Sequence, residues 1–149
     1  MIWGALSGVG RGPLHFLPPG TMVNGTRYLQ ILREKLPTFM EIQRCTHFLQ
    51  DGAPCHTSRA VKEWFRTEDI QLISPWPGNS PDLNVIENAW TKLKAKVSEY
   101  NPASIPSLIA AIKTVWCTEI SNEYCIQLAH SMPERIRLRL KIRGKHVKY

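Results

Sequence analysis

The hydrophobic period of this chain switches repeatedly between strand-like and helix-like, and that alternation limits the fold more than any other feature. Residues 1–7 and 14–17 are short apolar runs separated by the glycine-rich stretch 8–12 and closed by Pro18-Pro19-Gly20, the pattern of a β-hairpin. From Asn24 the spacing changes: Tyr28, Ile31, Leu32 and Leu36 mark an amphipathic helix. Residues 45–50 (CTHFLQ) read as a strand running into Asp51-Gly52. Thr57 or Ser58 is placed to cap a helix with Ala60, Val61, Trp64 and Phe65 on one face, and residues 70–73 (IQLI) form a further strand. After the rigid loop 74–81 the remainder reads as helical. Ile86, Ala89, Trp90, Leu93, Val97 and Tyr100 make one stripe, ended by Asn101-Pro102. Leu108, Ala111, Ile112, Val115 and Trp116 make another, and a short helix is expected at 123–129. The order ββα, βαβ, then helices predicts an α/β sheet with helices appended.

The C-terminus is the ambiguous segment. Ile136, Leu138, Leu140 and Ile142 alternate with basic residues at strand period. Ser131-Met-Pro-Glu134, however, is a capping-box pattern with proline near the first helical position, and it decides for a helix. The chain has 149 residues, enough for one domain, and 43% hydrophobic with 21% charged residues describes a soluble globular protein. No apolar run reaches the length of a membrane span, and the N-terminus lacks the basic start of a signal peptide. Cys45, Cys55, Cys117 and Cys125 are too far apart for C-x-x-C metal spacing and read as reduced intracellular thiols.

Charge is concentrated at one end. Residues 1–134 hold 12 Lys/Arg and 12 Asp/Glu, so the net +7 resides in residues 135–149: Arg135, Arg137, Arg139, Lys141, Arg143, Lys145 and Lys148. Such a tail fits either a nucleic acid partner or a solvated helix end.

Three aspartates occur: Asp51, Asp69 and Asp82. Asp51 ends an expected strand, where open α/β sheets place ligand groups, and Glu87 stands near the start of the strongest helix. Carboxylates so placed suit Mg²⁺, an oxygen-seeking ion that commonly bridges to phosphates and supports phosphodiester chemistry. The same residues also fit a structural role. Asp51-Gly52 is a common turn dipeptide, and Asn84-Val-Ile-Glu87 fits a helix N-cap with its reciprocal glutamate. Cys55 and His56, beside Asp51, pose a nucleophilic pair with little else in the sequence to support it. Trp64, Trp90 and Trp116 fall on apolar helix faces and read as core rather than as base-stacking platforms.

The strings FLQDGAPCHTSRAVKEWF and WPGNSPDLNVIENAWTKLKAKV resemble the catalytic domain of mariner-superfamily DDE transposases (DDE superfamily endonucleases). The opening IWGALSGVGRGPLHFLPPGTMVNGTRYLQIL and the closing SMPERIRLRLKIRGKHVKY extend the resemblance over nearly the whole chain. It implies a ribonuclease H-like fold, Mg²⁺- or Mn²⁺-dependent cleavage and joining of DNA, and a nuclear location. Asp51 matches the family's second catalytic aspartate and Glu87 its third acid, both metal ligands that would meet at a shared ion. Thirty-five residues lie between them, one more than is usual. Gly52 and Val85 stand where the family usually has Asn and Pro. The family's first aspartate and its helix-turn-helix modules would lie upstream of Met1, since Glu34 and Glu41 are the acids before Asp51 and neither matches.

The expectation is therefore a partial catalytic domain over residues 1–149, with a basic helix or tail at 131–149. It would be a mixed ribonuclease H-like sheet lacking its first, central strand, with weak metal binding and little or no DNA cleavage alone. The alternatives are a catalytically dead remnant binding nucleic acid through its tail, or a decayed fragment without function.

Overall fold

Two glycines and a serine shape the first reversal of the chain. Strands β1 (Ile2–Leu6) and β2 (Arg11–Phe16) pair as a two-stranded sheet, as the spacing predicts. Between them the Ser7 hydroxyl accepts from the backbone of Val9 and Gly10 at 3.0 and 3.1 Å, a serine turn. Gly12 lies so close to its surroundings that a Cβ would sit 2.7 Å from the Phe39 ring and 2.8 Å from the Ala5 carbonyl. The computed structural model describes residues 1–76 and 80–142. These form two compact units, one built on residues 1–5 and 12–76, the other on 6–11 and 80–142.

In the first unit, helix α1 (Gly25–Gln43) starts at Asn24, whose side chain accepts from Arg27 N at 3.0 Å. The stripe read from the sequence stops at Leu36, yet the helix continues through Pro37. Proline removes one helical hydrogen bond, and burial of Phe39 and Met40 beyond it offsets that loss. The expected strands 45–50 and 70–73 are each reduced to two residues, β3 (His47–Phe48) and β4 (Gln71–Leu72). They pair in parallel, His47 opposite Gln71 and Phe48 opposite Leu72. Parallel neighbours require a crossover, which helix α2 (Arg59–Thr67) supplies. Val61, Trp64 and Phe65 of α2 pack with Tyr28, Leu32 and Leu36 of α1, and Phe65 stacks on Phe48 at 5.6 Å. Ala60, expected on that face, is exposed. Ser58 begins α2 without a side-chain cap bond, and its buried hydroxyl has no partner among the described residues.

The second unit is helical apart from the hairpin tip. Helices α3 (Ile86–Ser98), α4 (Ile105–Thr118), α5 (Asn122–His130) and α6 (Met132–Lys141) follow one another. Asn101, in the left-handed region, ends the α3 segment beside Pro102, as the sequence suggests. Ala89, Leu93 and Val97 of α3 are buried, as are Ala111, Ile112, Val115 and Trp116 of α4. Trp90, half-buried, stacks on the buried Trp116 at 5.4 Å. Leu108 and Tyr100, expected on the buried stripes, are exposed. Arg11 joins the hairpin tip to this unit, donating to the carbonyl of Cys117 at 2.8 Å.

The architecture is mixed α/β, but it differs from the expected single mixed sheet. The described strands form two separate two-stranded sheets, β1–β2 and β3–β4. Of the expected C-terminal helix or tail at 131–149, Met132–Lys141 is a helix, although not for the reason the sequence offers, and residues 143–149 lie outside the described residues. Ser131 makes no side-chain cap bond; its hydroxyl donates to Leu128 O at 2.6 Å and accepts from Arg135 Nε at 2.7 Å.

Leu36 has no exposed surface and packs at the centre of the first unit. Leu36→Ala should cost about 2–5 kcal/mol in denaturant unfolding, whereas Ile42→Ala on the exposed face of α1 should stay within about 0.5 kcal/mol.

Candidate active site

Asp51 follows β3 on an exposed loop, and its carboxylate is fixed from one side only. Oδ1 accepts from Ala53 N at 3.0 Å and lies 2.6 Å from His56 Nδ1. The first contact is the turn that Asp51-Gly52 suggests, so the structural reading of this dipeptide holds as far as it goes. It uses one oxygen. No hydrogen bond or ion pair engages Oδ2 among the described residues, so that oxygen remains available to a ligand.

His56 is held in turn. Its ring packs against Tyr28 with centroids 4.1 Å apart, and Gln50 Nε2 donates to its carbonyl at 3.1 Å. The Tyr28 hydroxyl donates to Gln50 Oε1 at 2.8 Å, and burial pushes its phenol up from its ordinary value, so it serves as a neutral donor. The Nδ1 side of the imidazole is held by Asp51, and among the described residues no hydrogen bond joins the Cys55 thiol to the His56 ring, so the geometry lends a Cys55–His56 nucleophilic pair no support. Nothing in the sequence marks Tyr28 and Gln50 as backing this histidine, from which they are 28 and 6 positions away.

Glu87 lies in the first turn of α3 and is exposed. The helix begins at Val85, in helical conformation and without a side-chain cap bond. The Asn84–Glu87 capping pair suggested by the sequence is thus not formed. Among the described residues no hydrogen bond or ion pair engages the Glu87 carboxylate; its backbone carbonyl accepts from Thr91 Oγ1 at 2.9 Å. A hard, exposed carboxylate at a helix N-terminus, left out of the cap, is a ready oxygen donor. Asp69 adopts a left-handed backbone beyond α2, and the Asp82 side chain is 5% exposed and paired with Arg139. Among the described residues no group of three or more His, Cys, Asp or Glu side chains gathers at metal-binding distance.

The basic tail differs from its sequence reading. Arg135 is 2% exposed: Nη1 donates to Asp82 O at 2.8 Å and to Asn88 Oδ1 at 2.9 Å. Arg139 Nη1 lies 2.5 Å from Asp82 Oδ1. These two guanidiniums belong to the packing of the second unit and do not face a solvent-borne polyanion. Arg137 pairs with Glu134 at 2.6 Å on the surface, and Lys141 is exposed. Arg143, Lys145 and Lys148 lie outside the described residues. No described helix is long and apolar enough to cross a membrane.

Residues 14–109 match the family described as DDE superfamily endonuclease. The Tcb1 transposable-element transposase of Caenorhabditis briggsae is 32% identical over 151 aligned residues, covering all of this chain and 54% of the relative. The Mos1 mariner transposase catalytic domain superposes with a TM-score of 0.83 at 25% identity, over 99% of this chain and 75% of that one. The same domain has been solved with raltegravir and Mg, and the Mos1 transposase as a paired-end complex with the left transposon end. In the latter the TM-score is 0.82 at 25% identity, over 99% of this chain and 44% of that one. The chain spans about half the length of the curated relatives it matches.

Both candidate acids are exposed, and neither supports the core. Asp51→Ala and Glu87→Ala should each leave unfolding free energy within about 1 kcal/mol of wild type, since exposed ion pairs and surface substitutions are worth no more than that. A larger loss in either would mean the carboxylate is structural.

Proposed function

Because the chain belongs to the DDE superfamily of endonucleases, in its Tc1/mariner transposase branch, we propose that Asp51 and Glu87 are two of the acids that hold the divalent metal for DNA strand cleavage and transfer. The observation that carries this reading is that each acid keeps oxygen free of any structural partner among the described residues, at the positions where the family motifs place catalytic acids. Two hard carboxylates fit Mg²⁺ or Mn²⁺ in donor type, and Mos1, the relative of similar fold, has been solved with Mg. When bound, such ions activate a water and stabilise the leaving oxygen of a phosphodiester. The residues of this chain hold and orient: the Ala53 amide and His56 fix one Asp51 oxygen and leave the other for the ion.

The fold belongs to the same reading. We read the two small sheets as parts of a ribonuclease H-like sheet, and the family's first acid has no match among residues 1–149. With two of the family's three acids, the 149-residue chain should bind metal weakly and cleave DNA little or not at all on its own.

DNA is the proposed partner, with a nuclear site of action; a paired-end complex with a transposon end is known for Mos1. Phosphate contact falls to Arg137, Lys141, Arg143, Lys145 and Lys148, because Arg135 and Arg139 are spent internally. The alternative, a remnant acting through its tail alone, has less support than the sequence suggested for the same reason.

Titration with Mn²⁺, followed by water-proton relaxation, should show weak binding that drops at least about tenfold in Asp51→Ala and in Glu87→Ala, since even outer partners of metal ligands are worth about 10–100-fold. Unchanged affinity in both would place the ligands elsewhere. For duplex DNA, the log–log salt slope should be no steeper than about −4.5, at about 0.9 for each of the five remaining basic groups. Replacing Arg143, Lys145 and Lys148 by Gln should flatten it by up to about 2.7 on that scale, whereas an unchanged slope would exclude the tail as the contact.

A further inference from the structure

The second unit buries a positive charge beside the helix that carries Glu87, and its placement answers a need of that helix. Helix α3 starts without a side-chain cap, and its first amides are held by short-range backbone bonds, Glu87 N to Asn84 O at 3.0 Å and Asn88 N to Val85 O at 3.2 Å, so this is the end expected to fray. Arg135 of α6 supplies a restraint from outside. Nη1 bonds both the carbonyl of Asp82, in the loop leading to α3, and Oδ1 of Asn88, the residue after Glu87. Nε reaches back to the Ser131 hydroxyl at the junction of α5 and α6, so one planar fork ties three segments together. Arg139 secures the same loop through the Asp82 carboxylate.

We propose that Arg135 is a positioning residue: acting through Asn88 and Asp82, it fixes the first turn of α3 and thereby the direction of the Glu87 carboxylate. This rests on the reading of Glu87 as a metal ligand. It accounts for polar motif residues on both sides of that acid, Asp82 and Asn88, which metal ligation alone leaves unexplained. It also gives the first basic residue of the C-terminal segment a role that has nothing to do with phosphate.

Asn88→Ala tests this most cleanly. It removes one end of the clamp, leaves Arg135 bonded to Asp82 and Ser131, and introduces a better helix former, so loss of helix propensity cannot explain an effect. Mn²⁺ affinity of the full 149-residue chain should fall about tenfold, the lower end of the range for outer partners of metal ligands, while the melting temperature changes little. In the absence of metal, amide hydrogen exchange at Glu87 and Asn88 should quicken by about tenfold, the factor expected from one hydrogen bond to a charged group, with Leu93 and Val97 unaffected. Arg135→Lys, which keeps the charge but not the fork, should reproduce both effects. Glu87→Gln separates the two ideas. If Glu87→Gln weakens Mn²⁺ binding but Asn88→Ala and Arg135→Lys do not, the clamp is wrong and the ligand reading stands. If Glu87→Gln binds Mn²⁺ as wild type does, the ligand reading fails, and the positioning role falls with it.

Discussion

The parallel pairing of β3 with β4 is the constraint from which the first unit follows. Parallel neighbours cannot be joined by a tight turn, so the chain must leave β3, cross over and return in the same direction. Helix α2 is that crossover, and its Val61, Trp64 and Phe65 close the core against α1. The strands are only two residues long, and the packing of α1 and α2 supplies what so short a ladder cannot. The point at which the chain turns out of the pair carries Asp51, where a side chain can leave the backbone without entering the core. The turn made through its Oδ1 and the contact to His56 then serve both the chain reversal and the orientation of the carboxylate.

A different problem organises the second unit. A guanidinium as buried as that of Arg135 is tolerated only when its donors are satisfied, and a carbonyl, an amide oxygen and a hydroxyl accept from it. The carboxylate of Asp82 balances the neighbouring Arg139. This arrangement converts what looks in sequence like a surplus of surface charge into a fixed internal joint. Lys92 behaves similarly on α3, lying 4.4 Å over the Tyr124 ring and donating to the Glu119 carbonyl.

Helix positions were legible because apolar stripes at helical spacing are local: α1, α2, α3 and α4 all bury residues that the spacing marks. The errors have local causes too. The apolar stripe of α1 is marked only as far as Leu36, and the sequence does not show that Phe39 and Met40 find a core beyond Pro37. The strands were read too long because apolar runs do not reveal how much ladder a partner provides. At the site, Asp51 and Glu87 were visible through their motif. The capping alternative for Glu87 could be dismissed only once the conformation of Val85 was known. Arg135 was misjudged because charge is legible in a sequence and burial of a single arginine is not. Its signal lay in the polar residues flanking Glu87, whose partners are 47 and 53 positions away.

The chain belongs to the DDE superfamily of endonucleases, and under our proposal the open oxygens of two exposed acids are what it contributes to metal binding. Paramagnetic line broadening tests that contribution most directly. With substoichiometric Mn²⁺ added to isotope-labelled protein, the backbone amides around Asp51 and around Glu87 should broaden together and at the same metal concentration, because one bound population relaxes both. Broadening at only one of the two acids, or centred on other residues such as His47 or His130, would contradict the assignment of both to the metal.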